Sequence, residues 1–183
     1  AAPGAAAKVL AEAAAGVNVI IWFASNLGQD AATGQPQVRF GMNVTCIAGV
    51  ARALRRRGLA TAHLVSVGGW DAPHPDTNFT GAAWAAAWDT WNRGPRVARP
   101  ALGWRGFDGL DWDLEGNDAP ASPWNRFTAP CTALVGEMSQ AAKRAGYVVT
   151  LVPPQSYFDV TTSAFDRSLL HGDPLWHPTF RYH

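Results

Sequence analysis

From residue 110 onward, apolar and acidic side chains take strict turns: Leu110, Asp111, Trp112, Asp113, Leu114, Glu115. Successive side chains on an extended strand point to opposite faces, so this alternation predicts a strand over 107–114. Trp112 and Leu114 then pack on one side, and Asp111, Asp113 and Glu115 project from the other. Acids two residues apart on a strand stand about 6.7 Å from each other, near enough to repel and to share protons. Folding gains nothing from such a row, so the arrangement points to chemistry.

Two plainer explanations fit less well. A solvated sheet edge is usually protected by single charges, often Lys. A calcium loop of the EF-hand kind matches Asp111, Asp113 and Glu115-Gly116 at its start, but it needs a bidentate Glu at the twelfth position, which here is Ser122.

The eight residues Asp108-Gly109-Leu110-Asp111-Trp112-Asp113-Leu114-Glu115 fit the pattern DGxDxDxE, and upstream lies Ser66-Val67-Gly68-Gly69-Trp70, of the form SxGG. Together, and in this order, they resemble glycoside hydrolase family 18, the chitinases and their relatives. The resemblance implies that Ser66–Gly69 closes the third strand of a TIM (β/α)8 barrel and that the acidic stretch is its fourth. Residues 17–23 then correspond to strand two. Residues 147–152, followed by Pro153-Pro154-Gln155, are similar to strand five with its Pro-Gln ending. The expected fold is therefore α/β, a barrel of chitinase type of which 1–183 supplies about half, strands two to five, as a single partial catalytic domain.

Composition sets the remaining bounds. With 48% hydrophobic residues the chain can bury a core, and a net charge of +1 gives no field that would draw nucleic acid or an anionic membrane. No apolar run reaches the length of a membrane-spanning helix, about 18 residues, and no charged segment followed by an apolar core opens the sequence as a signal peptide would. Cys46 and Cys131 are the two cysteines; whether they pair is left open by sequence. Asn43 and Asn78 head glycosylation sequons, which matter only in a secreted protein. A secreted monomer is expected.

Along the chain, strands and helices alternate. Residues 5–15 are Ala-rich and predict a helix that stops at Gly16. Residues 17–23 form a near-continuous apolar run, the mark of a strand covered on both faces, and 24–42 read as loop. A helix starts after Asn43 as N-cap, carries Val44, Ile47, Val50, Ala51 and Leu54 as an apolar stripe, and ends in Arg55-Arg56-Arg57, where cations suit the helix dipole. A strand over 62–67 and a loop over 71–79 precede a helix over 81–92, whose Trp84, Trp88 and Trp91 make a packing face. Ser122-Pro123 reads as a helix start, with the helical region interrupted near Pro130 and stopped by Gly146. After the strand 147–152, residues 155–183 read as loop with at most a short helix near 163–170. Strand centres near Ile20, Val65, Leu110 and Thr150 stand 45, 45 and 40 residues apart, a period that implies parallel strands joined by crossover helices. Eight such units need roughly 340 residues, and a compact barrel about 250. On length alone a doubly wound open sheet fits 183 residues better; the resemblance favours the barrel fragment.

The resemblance also implies roles. Family 18 enzymes cleave β-1,4-linked N-acetylglucosamine with retention, using the substrate's own acetamido oxygen as nucleophile. By motif position, Glu115 is the general acid and later the base, Asp113 holds the acetamido N–H and stabilises the developing charge, and Asp111 shares a proton with Asp113. Independently, carboxyls crowded on one face cannot all ionise cheaply, so at least one retains its proton. Asp108 is assigned structural support. Ser66, Gly68 and Gly69 allow close approach of backbone and substrate, and Phe23, Trp70, Gln155 and Tyr157 are candidate sugar contacts. The expected substrate is chitin or an N-acetylglucosamine oligosaccharide, with no metal and no cofactor. Two alternatives remain: an endo-β-N-acetylglucosaminidase acting on N-glycans, and a non-catalytic chitin-binding lectin, whose relatives commonly lack the motif Glu that this chain keeps. The sixth-strand Tyr and eighth-strand Trp of the family have no counterpart in 1–183, so little activity is expected of this chain alone.

Overall fold

The computed structural model describes residues 3–154 and 159–161. A five-stranded sheet runs in the order β2-β1-β3-β4-β5, with β1 over Val19–Gln29, β2 over Pro36–Phe40, β3 over Ala62–Gly69, β4 over Gly109–Leu114 and β5 over Val148–Leu151. Strands β1, β3, β4 and β5 are parallel neighbours, and β2 joins antiparallel at the margin. The helices are α1 (Pro3–Ala14), α2 (Val44–Arg56), α3 (Gly81–Arg93) and α4 (Ala129–Arg144).

One sheet face carries the core. Val65 and Val67 of β3, with Leu110, Trp112 and Leu114 of β4, pack in one cluster with Ile47 and Ala51 of α2, Trp84 and Trp88 of α3, and Val135 and Met138 of α4. The three crossover helices thus lie on the same side, and the parallel strands add in one direction without reversal. A doubly wound sheet would reverse its strand order and place helices on both faces; the described residues do neither. The sheet is open, and its closure into a barrel is not seen among them.

The opposite face is exposed along its flanks, while Leu64, Ser66 and Asp111 in its middle are buried. Val19, Ile21 and Phe23 on β1 are 46%, 45% and 60% exposed, and at the far margin of the sheet Val148 of β5 and Val152 just past it are 46% and 55% exposed. The expectation that 17–23 is covered on both faces is therefore wrong: only the side bearing Ile20 and Trp22 meets a helix layer.

Two further expectations are corrected. Residues 24–42 are not loop but the upper half of β1, a turn and β2, paired from Ser25↔Phe40 to Gln29↔Pro36. The turn is held by Asp30, whose carboxylate accepts from the Ala32 and Thr33 N–H groups at 3.1 and 2.9 Å. Nor does Pro130 interrupt a helix begun at Ser122. Thr128 is the N-cap, its hydroxyl accepting from the Cys131 N–H at 3.3 Å, and Pro130 stands in the first turn, where a missing N–H costs nothing. Residues 115–128 are a loop.

Other expectations agree with the fold. Asn43 caps α2 through the Cys46 N–H at 3.1 Å. Arg55, Arg56 and Arg57 are exposed at its end. Trp84 and Trp88 are fully buried, and Trp91 stacks on Phe107 with centroids 6.0 Å apart. Cys46 and Cys131, whose pairing the sequence leaves open, are both free thiols. The stretch 163–170 lies outside the described residues.

A carboxylate row as candidate active site

Register places the row at the centre of the sheet. Ser66 of β3 stands level with Asp111 and Gly68 with Asp113, while Thr150 of β5 stands level with Asp111 on the other side. Alternation puts these residues on the face away from the helices, and Trp112 and Leu114 on the core side, where both are buried. Trp112 is locked there by its indole N–H, which donates to Ser139 Oγ at 2.9 Å.

The acids grade from interior to rim. Asp111 is 3% exposed, whereas Asp113 and Glu115 are half-buried. Burial, above all, holds the Asp111 carboxyl above the usual carboxylate range; the Thr150 hydroxyl, which donates to it, pulls the other way, and the charge of Asp113 adds to the rise. Asp113 is also raised, first by burial, then by the charge of Glu115 and by a hydrogen bond between the two side chains. A bond that favours the protonated form of Asp113 is one in which its O–H donates to Glu115. The three groups therefore form a chain of coupled acids with Asp113 as the middle member.

The Gly68-Gly69 pair serves backbone contact. At Gly68, φ is +115° and a Cβ would lie 2.3 Å from the carbonyl oxygen of Asp113; at Gly69, φ is +107° and a Cβ would lie 2.4 Å from the Phe23 ring. The space next to Gly69 is thus filled by an aromatic ring of the protein. Ser66 is buried, and its hydroxyl has no hydrogen-bond partner among the described residues; its carbonyl accepts from the buried Ser25 hydroxyl at 2.8 Å. Phe23 and Trp70, each 60% exposed, flank this end of the sheet. Asp108 is a stitch: its carboxylate accepts from the His63 N–H at 2.8 Å, and its own N–H donates to the His63 carbonyl at 2.8 Å. Gln155 and Tyr157 lie outside the described residues.

Several contributors were not among the expected site residues. Thr150 sits between Val148 and Val152 on the same strand face, a polar interruption that the period-two pattern does display. Asp71, Asn117 and Ser122 carried no such signal. The Asp71 N–H donates to the Gly116 carbonyl at 2.9 Å, and Asn117 Nδ2 donates to Asp71 Oδ1 at 2.5 Å and to Ser122 Oγ at 3.1 Å. Asp71 has φ of +57°, a backbone conformation to which Asp is better suited than most residues. These contacts bind the loop after β3 to the loop after β4. Two cavities of about 460 and 500 Å³ lie elsewhere, between β2, α3 and residues 94–99; the acids lie on the sheet face away from the helices, with Asp113 and Glu115 part-exposed there.

No protein-family profile matches the chain, and no curated protein matches it. Among solved structures it is similar to EndoBT-3987 of Bacteroides thetaiotamicron. The structure with Man5GlcNAc product matches at 21% identity and a TM-score of 0.44, over 81% of this chain and 34% of that one. The structure with Man9GlcNAc2Asn substrate matches at the same identity and score, over 82% of this chain and 38% of that one. The chain thus spans little more than a third of the length of the solved structures it matches.

Proposed function

We propose that this chain is part of the catalytic domain of a glycoside hydrolase that cleaves β-1,4-linked N-acetylglucosamine, and that its sheet is an arc of a (β/α)8 barrel. The single observation that carries the reading is the coupled row Asp111–Asp113–Glu115, graded from interior to rim at the C-terminal end of a central parallel strand. In barrels that end of the strands is where catalytic groups stand. Helices on one face and strands added in one direction support the barrel arc.

In this reading the proton that Asp113 holds against Glu115 passes to Glu115, outermost of the row, which delivers it to the glycosidic oxygen and then deprotonates water, leaving Asp113 a carboxylate for the first step. Asp113 releases its hold on Glu115 to grip the acetamido N–H and to offset the positive charge that develops as the acetamido oxygen attacks. Asp111, held in place by Thr150, is the inner proton partner that lets Asp113 change its charge. Phe23 and Trp70 offer exposed rings to the apolar faces of a sugar.

The disaccharide to be cut occurs in chitin and in N-glycans alike. Chitin-type oligosaccharides are the first reading. An N-glycan substrate is the second, and it belongs in the assay because the two neighbouring structures were determined with such glycans. The test is turnover of a chromogenic N-acetylglucosamine oligomer and of Man9GlcNAc2Asn by the complete natural protein and by its Glu115→Gln variant. The variant is expected to lose at least about a thousandfold in kcat while still binding oligosaccharide; turnover equal to wild type would remove Glu115 from the mechanism. The 183-residue chain alone, with the flanks of one sheet face exposed among its described residues, is expected to show little turnover.

A further inference from the structure

Glu115 is a single residue between two anchors. Before it, Leu114 ends β4 level with Gly69 of β3. After it, the Gly116 carbonyl accepts from the Asp71 N–H at 2.9 Å. Both anchors thus come from one short stretch, residues 69–71. The Asp71 side chain extends the hold by one residue: its Oδ1 accepts from Asn117 Nδ2 at 2.5 Å, and the same Nδ2 donates to Ser122 Oγ at 3.1 Å. Asn117 Oδ1 accepts from the Ala119 N–H at 2.9 Å, and the Asn117 N–H donates to Asn125 Oδ1 at 2.7 Å. The nitrogen and the oxygen of this carboxamide are both engaged, and its orientation is forced, because a flipped amide would set oxygen against the Asp71 carboxylate. Further along, the His74 ring packs against Trp124 and Phe127, with centroids 5.4 and 5.5 Å apart. Residues 115–128 contain no helix or strand, so side-chain contacts of this kind give the loop its place.

A general acid must stay within about 0.5 Å of its productive position, and a misplacement of about 1 Å costs on the order of a hundredfold in rate. We propose that Asp71 and Asn117 are positioning residues for Glu115: as a pair they fix the main chain on its far side, so that the acid hangs from a backbone held at both ends. The proposal rests on the glycosidase reading.

The test uses the complete natural protein with Asn117→Ala, Asn117→Asp, Asp71→Asn and a double variant carrying Asp71→Asn with Asn117→Asp. Asn117→Ala removes the carboxamide, and Asn117→Asp sets two carboxylates face to face. Asp71→Asn keeps an acceptor oxygen for Asn117, and the double variant reverses donor and acceptor across the same gap without a change of size. For each Asn117 single variant, kcat is expected to fall about 10- to 100-fold with KM within about twofold. Amide hydrogen exchange at residues 71 and 117 should quicken while that of β3 and β4 holds. Asp71→Asn and the double variant should both keep kcat within about threefold of wild type. Unchanged exchange in Asn117→Ala would overturn the proposal, as would quickened exchange with undiminished kcat. A loss confined to Asn117→Asp would assign the effect to its added charge, and a double variant as slow as Asn117→Asp would deny the pairing; either overturns the proposal. A fully active Glu115→Gln variant, or a wild type that cleaves neither substrate, would instead bring down the glycosidase reading, and the positioning role with it.

Discussion

The hydroxyl of Thr150 donates to the carboxylate of Asp111 across the β4–β5 pair, residue facing residue in register. The bond stabilises the charged form of a group that burial pushes the other way. Its removal in Thr150→Val should raise the pH at which Asp111 titrates, and Thr150→Ser should leave it near the wild-type value. Carbon-detected NMR titration of the Asp111 carboxyl reads this directly. Titration at or below the wild-type pH in Thr150→Val would show that the bond does not tune Asp111.

Asp113 titrates above its unfolded value near 3.8 because of burial, foremost, and because of Glu115. The folded protein then binds this proton more tightly than the unfolded chain does, so stability falls as pH rises from near 3.8 through the raised value, and stays lower above it. Asp113→Asn, neutral at every pH, should escape that loss. A gain in Tm of roughly 1–4 °C at pH 7 is expected, shrinking toward zero near pH 3.5, together with loss of turnover. A gain that is constant with pH, or larger in acid, would contradict the account.

The Phe23 ring lies where a Cβ of Gly69 would be. Gly69→Ala should cost about 2 kcal/mol, from the left-handed φ and from displacement of the ring. Phe23→Ala in the same chain should return the second part but not the first. A double-mutant cycle by urea unfolding measures the coupling; additive losses would mean that the ring yields freely.

Asn92 of α3 is buried, and its side chain spans the backbone of Phe107, accepting from the N–H at 2.8 Å and donating to the C=O at 2.9 Å. Asn92→Ala strands both groups in the core at the entrance to β4. About 2–4 kcal/mol of stability should be lost, whereas Thr90, exposed two residues earlier on the same helix, should tolerate Ala within about 0.5 kcal/mol. Chemical denaturation of the two variants makes the comparison.

The sequence displayed the acidic strand clearly because every residue from Leu110 to Leu114 obeys one period and one side is uniformly apolar. The hairpin escaped notice for the opposite reason. Each of its arms buries one large apolar residue, Leu27 facing Val38, and Asn26 and Gly28 are poor strand formers; backbone pairing, invisible in side-chain patterns, makes it a hairpin. The start of α4 was misplaced because Ser122-Pro123 and Thr128-Ala129-Pro130 carry the same capping signature, and only the second is followed by uninterrupted helical periodicity. At the site, three acids and two glycines were legible from spacing, while His74 and Asp71 were not. Their partners lie about 40 residues or more away in sequence, on a loop that has no period at all.

The hydrogen bonds of Asp71 with Gly116 and Asn117, and the packing of the His74 ring against Trp124 and Phe127, mean that the two rim segments behave as one part. A swap that imports the segment after β3 from another protein, leaving the one after β4 native, would sever both attachments and free the stretch that follows Glu115. Redesign of what this rim accepts must therefore move the pair together, with the sheet below untouched.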